Sequence, residues 1–143
     1  MTQLSVHFTL EELTHTDHRE FDNTPNSAET ANLIRLAGLL EDVKLLLGGK
    51  PIIVNSAFRS KAVNDAVGSK DSSQHRVGCA ADIRVPNMTP DEVVRAIIAS
   101  EIGYDQIIRE FDRWTHISVP NTAGGNPRRQ SLIIDKTGTR AFS

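Results

Sequence analysis

Between Gly78 and Pro86 the chain reads Cys-Ala-Ala-Asp-Ile-Arg-Val, and this run constrains the fold more than any other part of the 143 residues. Proline stops a strand, and a glycine ahead of it permits a sharp turn that other residues resist. Residues 80–85 therefore read as a strand with Cys79, Ala81, Ile83 and Val85 as its apolar row, while Ala80, Asp82 and Arg84 point the other way. Asp82 is thus set on the face away from that row. His75 lies just before Gly78, where a turn can fold its imidazole back over Asp82.

Around this strand the punctuation is dense. Thr9-Leu10-Glu11-Glu12 reads as a capping box with Phe8 and Leu13 as its hydrophobic staple, predicting a short helix from Leu10 to about Thr14. Residues 15–26 carry turn formers and read as an ordered surface loop. A long helix follows over Ala28–Leu47, with Ala31, Ile34, Ala37, Leu40, Val43 and Leu47 as its apolar stripe and Gly48-Gly49 as its stop. Residues 51–56 have the β-branched density of a buried strand, and Ser60–Val67 reads as a short helix closed by Gly68, which puts Arg59 at a strand-to-helix junction. Thr89-Pro90-Asp91-Glu92 opens a helix over 90–99. Residues 105–110 and 114–119 form a hairpin, 120–130 a polar loop, and Leu132-Ile133-Ile134 a last short strand. The order predicts an α+β fold, a mainly antiparallel sheet with helices packed on it, and the length predicts a single domain over residues 1–143.

Composition narrows the function classes. The 38% hydrophobic and 24% charged content suits a water-soluble protein, and no apolar run is long enough to span a bilayer, so stable membrane insertion is not expected. A net charge of −2 argues against nucleic acid as a partner, although Arg128-Arg129 makes a small basic patch. Cys79 is the only cysteine and reads as a small buried residue. The N-terminus lacks a basic stretch followed by an apolar run, so synthesis in the cytoplasm without a signal peptide is expected.

An imidazole and a carboxylate flanking Gly78 match two ligands of a zinc site, and His116 is the candidate for the third. Two histidines and one carboxylate leave a tetrahedral Zn2+ one open position, the mark of a catalytic rather than a closed structural site. A three-residue connection at 111–113 pairs Glu110 with Trp114, Ile108 with His116 and Gln106 with Ser118. Glu110 and His116 then become diagonal neighbours on one face, with β-carbons roughly 7 Å apart. Glu110 is accordingly the candidate general base, and Asp112, in the turn itself, is the alternative base. His7, His15 and His18 have no spacing that asks for metal.

Ser73-x-His75-x-x-Gly78-x-Ala80-x-Asp82 resembles, at all five fixed positions, the signature of the D-alanyl-D-alanine carboxypeptidase and peptidoglycan endolysin family of zinc peptidases. Ser56-Ala57-Phe58-Arg59-Ser60, the segment ending in Trp114-Thr115-His116 and the N-terminal Phe8–Glu12 stretch are also similar to it. The resemblance implies a Hedgehog/DD-peptidase-like fold, one Zn2+ per chain on His75, Asp82 and His116, and Arg59 as the cation for a substrate carboxylate or oxyanion. Ser73 and Gln74 are candidates for hydrogen bonds that orient ligands or hold substrate, and Trp114 for a wall of the substrate groove. The chain departs from the family where many members carry an acid three residues before the last histidine and a tryptophan directly before it; Arg113 and Thr115 stand there.

These expectations combine into a zinc metallopeptidase that hydrolyses peptidoglycan stem peptides, endolysin-type, of phage or prophage origin, acting on the cell wall after release or phage-assisted export. Trimming of terminal D-Ala by a D-alanyl-D-alanine carboxypeptidase is the alternative within the class. A zinc-containing, non-catalytic cell-wall or protein binding module is the alternative outside it. The chain is expected to be a monomer.

Overall fold

The computed structural model describes residues 2–143. In chain order the elements are α1 (Leu10–Leu13), α2 (Ser27–Leu46), β1 (Ile53–Ser56), α3 (Lys61–Ala66), a 3-10 turn (Gln74–Val77), β2 (Ala80–Arg84), α4 (Pro90–Ile98), β3 (Gln106–Glu110), β4 (Trp114–Ser118), β5 (Gln130–Asp135) and β6 (Gly138–Ala141). The strands form one six-stranded open sheet in the order β1-β2-β4-β3-β5-β6. Every neighbouring pair is antiparallel except β3 and β5, which run parallel. The architecture is α+β with a mostly antiparallel sheet, as the element order predicts.

Local chemistry starts the helices where the sequence places them. The side chains of Thr9, Asn26 and Thr89 each accept from the backbone N–H three residues on, and Glu12, Glu29 and Glu92 return the bond. These reciprocal caps satisfy donors that a helix start otherwise leaves unpaired. Asn26, read as the end of a loop, is therefore the cap of α2.

One face of the sheet is covered. Ala81 and Ile83 of β2, Ile117 of β4 and Ile107 of β3 join Leu33, Leu36, Leu40 and Val43 of α2 and Val93, Val94 and Ile97 of α4 in one buried cluster. The burial of α2 corrects the expected stripe: Ala31 and Ile34 face solvent, and Leu33, Leu36 and Leu39 replace them. Steps of three drift off a face by about 60° each on a 3.6-residue helix, whereas 33-36-40-43 alternates three and four and stays on it. β1 is also corrected, being a half-exposed edge strand rather than a buried one. The final strand is longer than expected and turns back into β6, whose exposed residues, Gly138 to Ala141, carry no alternating signal.

The other face positions the chemistry. Cross-strand partners share a face, and the register pairs Asp82 with His116, His116 with Ile108, and Glu110 with Trp114. No helix among the described residues is long and apolar enough to cross a membrane.

Candidate metal centre and active site

The β2–β4 register sets Asp82 directly opposite His116, and Asp82 Oδ1 lies 3.0 Å from His116 Nδ1. His75 comes from the 3-10 turn, which Ser73 caps by accepting from the His75 backbone N–H at 3.2 Å. Gly78 ends the turn at φ 80°, against α2, where an added β-carbon would meet the Glu29 carbonyl oxygen at 2.8 Å. Both the backbone angle and the close approach require glycine. Gly78→Ala is expected to cost about 2–4 kcal/mol, read as a lower urea midpoint together with weaker zinc retention.

The His75 ring has a defined proton. Nδ1 lies 2.6 Å from the Ala57 carbonyl oxygen, which can only accept, so Nδ1 carries the hydrogen and Nε2 presents its lone pair. Nε2 is 3.3 Å from Asp82 Oδ1. Zinc bonds of about 2.0–2.1 Å at tetrahedral angles set neighbouring donor atoms roughly 3.3 Å apart. The observed 3.0 and 3.3 Å match that spacing, and all three ligand atoms lie within 4.8 Å of one another. The three residues are buried, at 3%, 7% and 8% exposure for His75, Asp82 and His116. This donor set could hold a metal ion, and it is the group of three or more such ligands found among the described residues.

The electrostatics suit the same use. Burial pushes the Asp82 carboxyl up, but the two imidazoles outweigh it and hold the group well below the usual carboxylate range. Burial pushes His75 down against the pull of Asp82, which favours the neutral ring that a metal ligand must be. Glu110 is raised, first by burial and then by the charge of Asp82. Its Oε1 is 3.9 Å from His116 Nδ1.

Arg59 reaches the cluster through the second oxygen of Asp82. Its guanidinium donates to Asp82 Oδ2 at 3.3 Å, Ser56 Oγ at 3.2 Å and Asn64 Oδ1 at 3.5 Å. Its backbone is held as firmly: Arg59 N–H donates to the His75 carbonyl at 2.9 Å, and the Arg59 carbonyl accepts from Arg76 at 3.1 Å. Asn23 grips the peptides on both sides, donating to the Phe58 carbonyl at 3.0 Å and accepting from Ser60 N–H at 2.7 Å. Asn23 carries no signal in the sequence, because Phe58 and Ser60 reach it only through the fold; Asn64 has its partners within six residues, but no local motif marks it.

The remaining candidates separate. Asp112 has a side chain 72% exposed and pairs with Arg109 at 3.1 Å; Arg109 also binds Asp91 of α4 at 2.9 Å, so Asp112 is drawn toward the helix-covered side. Gln74 donates to Asn121 Oδ1 at 2.8 Å, the Val119 carbonyl at 3.0 Å and Asp105 Oδ2 at 3.2 Å, fastening the exit of β4. Trp114 shares the face of His116 through its pairing with Glu110. The basic patch dissolves: Arg128 binds Asp105 at 2.7 Å and Arg129 lies over the Tyr104 ring at 4.6 Å. His7 is taken by Glu41 at 2.7 Å.

Asp105 is a buried joint that the sequence did not single out, linking the start of β3 to Gln74 and to the 120–130 loop. Burial raises its carboxyl, but the Arg128 hydrogen bonds and charge win and hold it below the usual range. A depressed carboxylate stabilises above its unfolded value, about pH 4, and loses that contribution as pH falls toward its folded value. Asp105→Asn is expected to cost about 1–3 kcal/mol at pH 7 and low salt. The gap to wild type, measured by urea unfolding, should narrow below about pH 4.

The comparisons with known proteins accord with this centre. A search of curated proteins finds no match. A family model described as peptidase M15 matches residues 6–118, a span that holds His75, Asp82, His116, Arg59 and Glu110 and stops at the end of β4. M15 peptidases are zinc-dependent, as the buried His-Asp-His group also suggests. On a match that covers well over half of its length, the chain belongs to the peptidase M15 family.

Proposed function

We propose that the chain is a zinc endopeptidase of endolysin type that cuts within peptidoglycan stem peptides, on a Hedgehog/DD-peptidase-like fold. The observation that carries the reading is one buried face on which Glu110 stands 3.9 Å from the ligand nitrogen of His116, with Arg59 3.3 Å from Asp82. Bound by His75, Asp82 and His116, Zn2+ supplies Lewis-acid activation of a peptide carbonyl and of water near neutral pH. Glu110 takes the proton from the attacking water and passes it to the leaving amine nitrogen, and its burial keeps it a strong enough base for the first transfer. Arg59 offers a guanidinium, already desolvated, to the developing negative charge. The Ala57 carbonyl keeps His75 in one tautomer and one orientation throughout.

Arg59 also suits the free carboxylate of a terminal D-Ala, which favours the carboxypeptidase as the second reading. Zinc content together with mass spectrometry of purified peptidoglycan after incubation separates the readings. New termini inside the stem support the endopeptidase, and loss of terminal D-Ala alone supports the carboxypeptidase. Stoichiometric zinc with no new ends would make the chain a binding module.

A further inference from the structure

The hairpin that carries Glu110 and His116 ends in a strained turn. Arg113 N–H donates to the Glu110 carbonyl at 3.0 Å, and the two central residues, Phe111 and Asp112, have φ of 54° and 52°. That is the type I′ pattern, which favours Asn or Gly because both central residues are left-handed. A phenylalanine there is an outlier, and such strain persists where the surrounding structure or the function demands the side chain. Core burial does not demand it: Phe111 is 46% exposed, and its ring stands 5.9 Å from that of Trp114.

The two rings border a cleft of about 560 Å³ between this turn and the β5–β6 turn, beside the Glu110–Trp114 pair. Its charges are unequal. Asp112 is spent on Arg109 at 3.1 Å and Asp135 on Arg140 at 2.9 Å. Arg113 and Lys136, also lining the cleft, form no ion pair among the described residues. An aromatic wall and two uncommitted cations lining one cleft complement a ligand with an apolar body and a carboxylate.

We propose that Phe111 and Trp114, with Arg113 and Lys136, form a subsite for a carboxylate-bearing segment of the substrate peptide next to the bond that is cut. The proposal rests on the peptidase reading above, and its test separates the two. Trp114 is the only tryptophan, so its fluorescence reports on this cleft. The probes are a purified stem peptide and the same peptide with its carboxylates amidated, titrated into zinc-loaded Glu110→Gln protein so that the peptide stays whole.

Phe111→Asn in that background should weaken binding of the free-carboxylate peptide about tenfold while Tm stays at or above the parent value, because strain is relieved. Arg113→Ala with Lys136→Ala should weaken the same peptide about fivefold at low salt, and the amidated peptide by less than twofold. Unchanged affinity in Phe111→Asn, a Tm drop of about 5 °C or more, or equal losses for both peptides would overturn the subsite. Saturable binding without hydrolysis by the native chain removes the peptidase reading and leaves the subsite. With Glu110 intact, hydrolysis at wild-type KM in Phe111→Asn and in Arg113→Ala with Lys136→Ala removes the subsite and leaves the peptidase.

Discussion

Glu110→Gln is expected to slow stem-peptide hydrolysis by about 100- to 10,000-fold while zinc content stays at the wild-type level. Glutamine keeps the shape and most of the polarity of the side chain and removes only its ability to take a proton. Glu110 contributes no atom to the group formed by His75, Asp82 and His116, so metal retention and proton transfer separate cleanly in this variant. The comparison residue is Asp112, exposed and tied to Arg109, for which Asp112→Asn should leave the rate within about twofold. Initial rates on a defined peptide and metal analysis on the same samples decide the matter. A rate loss in Asp112→Asn with none in Glu110→Gln would transfer the base to the turn.

Asp82→Ala should remove zinc and, in metal-free protein, cost about 3–5 kcal/mol. The carboxylate is the one negative group shared by His75, His116 and Arg59, at 3.3, 3.0 and 3.3 Å. Its removal leaves the Arg59 guanidinium, 13% exposed, with no ion pair, only neutral hydrogen-bond acceptors and the more distant charge of Glu110. An unpaired buried charge is the expensive outcome, more so than losing both partners. Asp82→Ala combined with Arg59→Ala should therefore recover part of the stability in urea unfolding with chelator present, and recover none of the zinc. Stoichiometric zinc in Asp82→Ala would dismiss the centre.

Much of the site is legible because strand parity is local. Once residues 80–85 are a strand and 111–113 a connection of three, geometry of period two sets Asp82 off the apolar row and puts Glu110, Trp114 and His116 on one face, while the register that sets Asp82 opposite His116 is long-range. Caps are local for the same reason: an acceptor and a glutamate three residues on, as at Thr9 and Thr89, suffice. The misread elements depend on distant partners. The stripe of α2 is chosen by what packs on it, and β1 is half-exposed because nothing pairs with its outer edge within the sheet; β6 differs, a local hairpin partner of β5 whose exposed residues show no alternation. Residues with polar roles across the fold, such as Asn23 and Asp105, look ordinary in sequence because their partners are 35 and 23 positions away.

The Gly78–Pro86 run and the 106–118 hairpin thus each determined which of their own side chains share a face, since backbone stereochemistry sets that within a few residues. Tertiary structure alone decided which of those side chains meet. Packing of the 3-10 turn against α2 brought His75 to Asp82, and the Arg109–Asp91 pair drew Asp112 away and left Glu110 beside His116. Those distances depend on burial and pairing between segments far apart in the chain, for which no local pattern exists to be read.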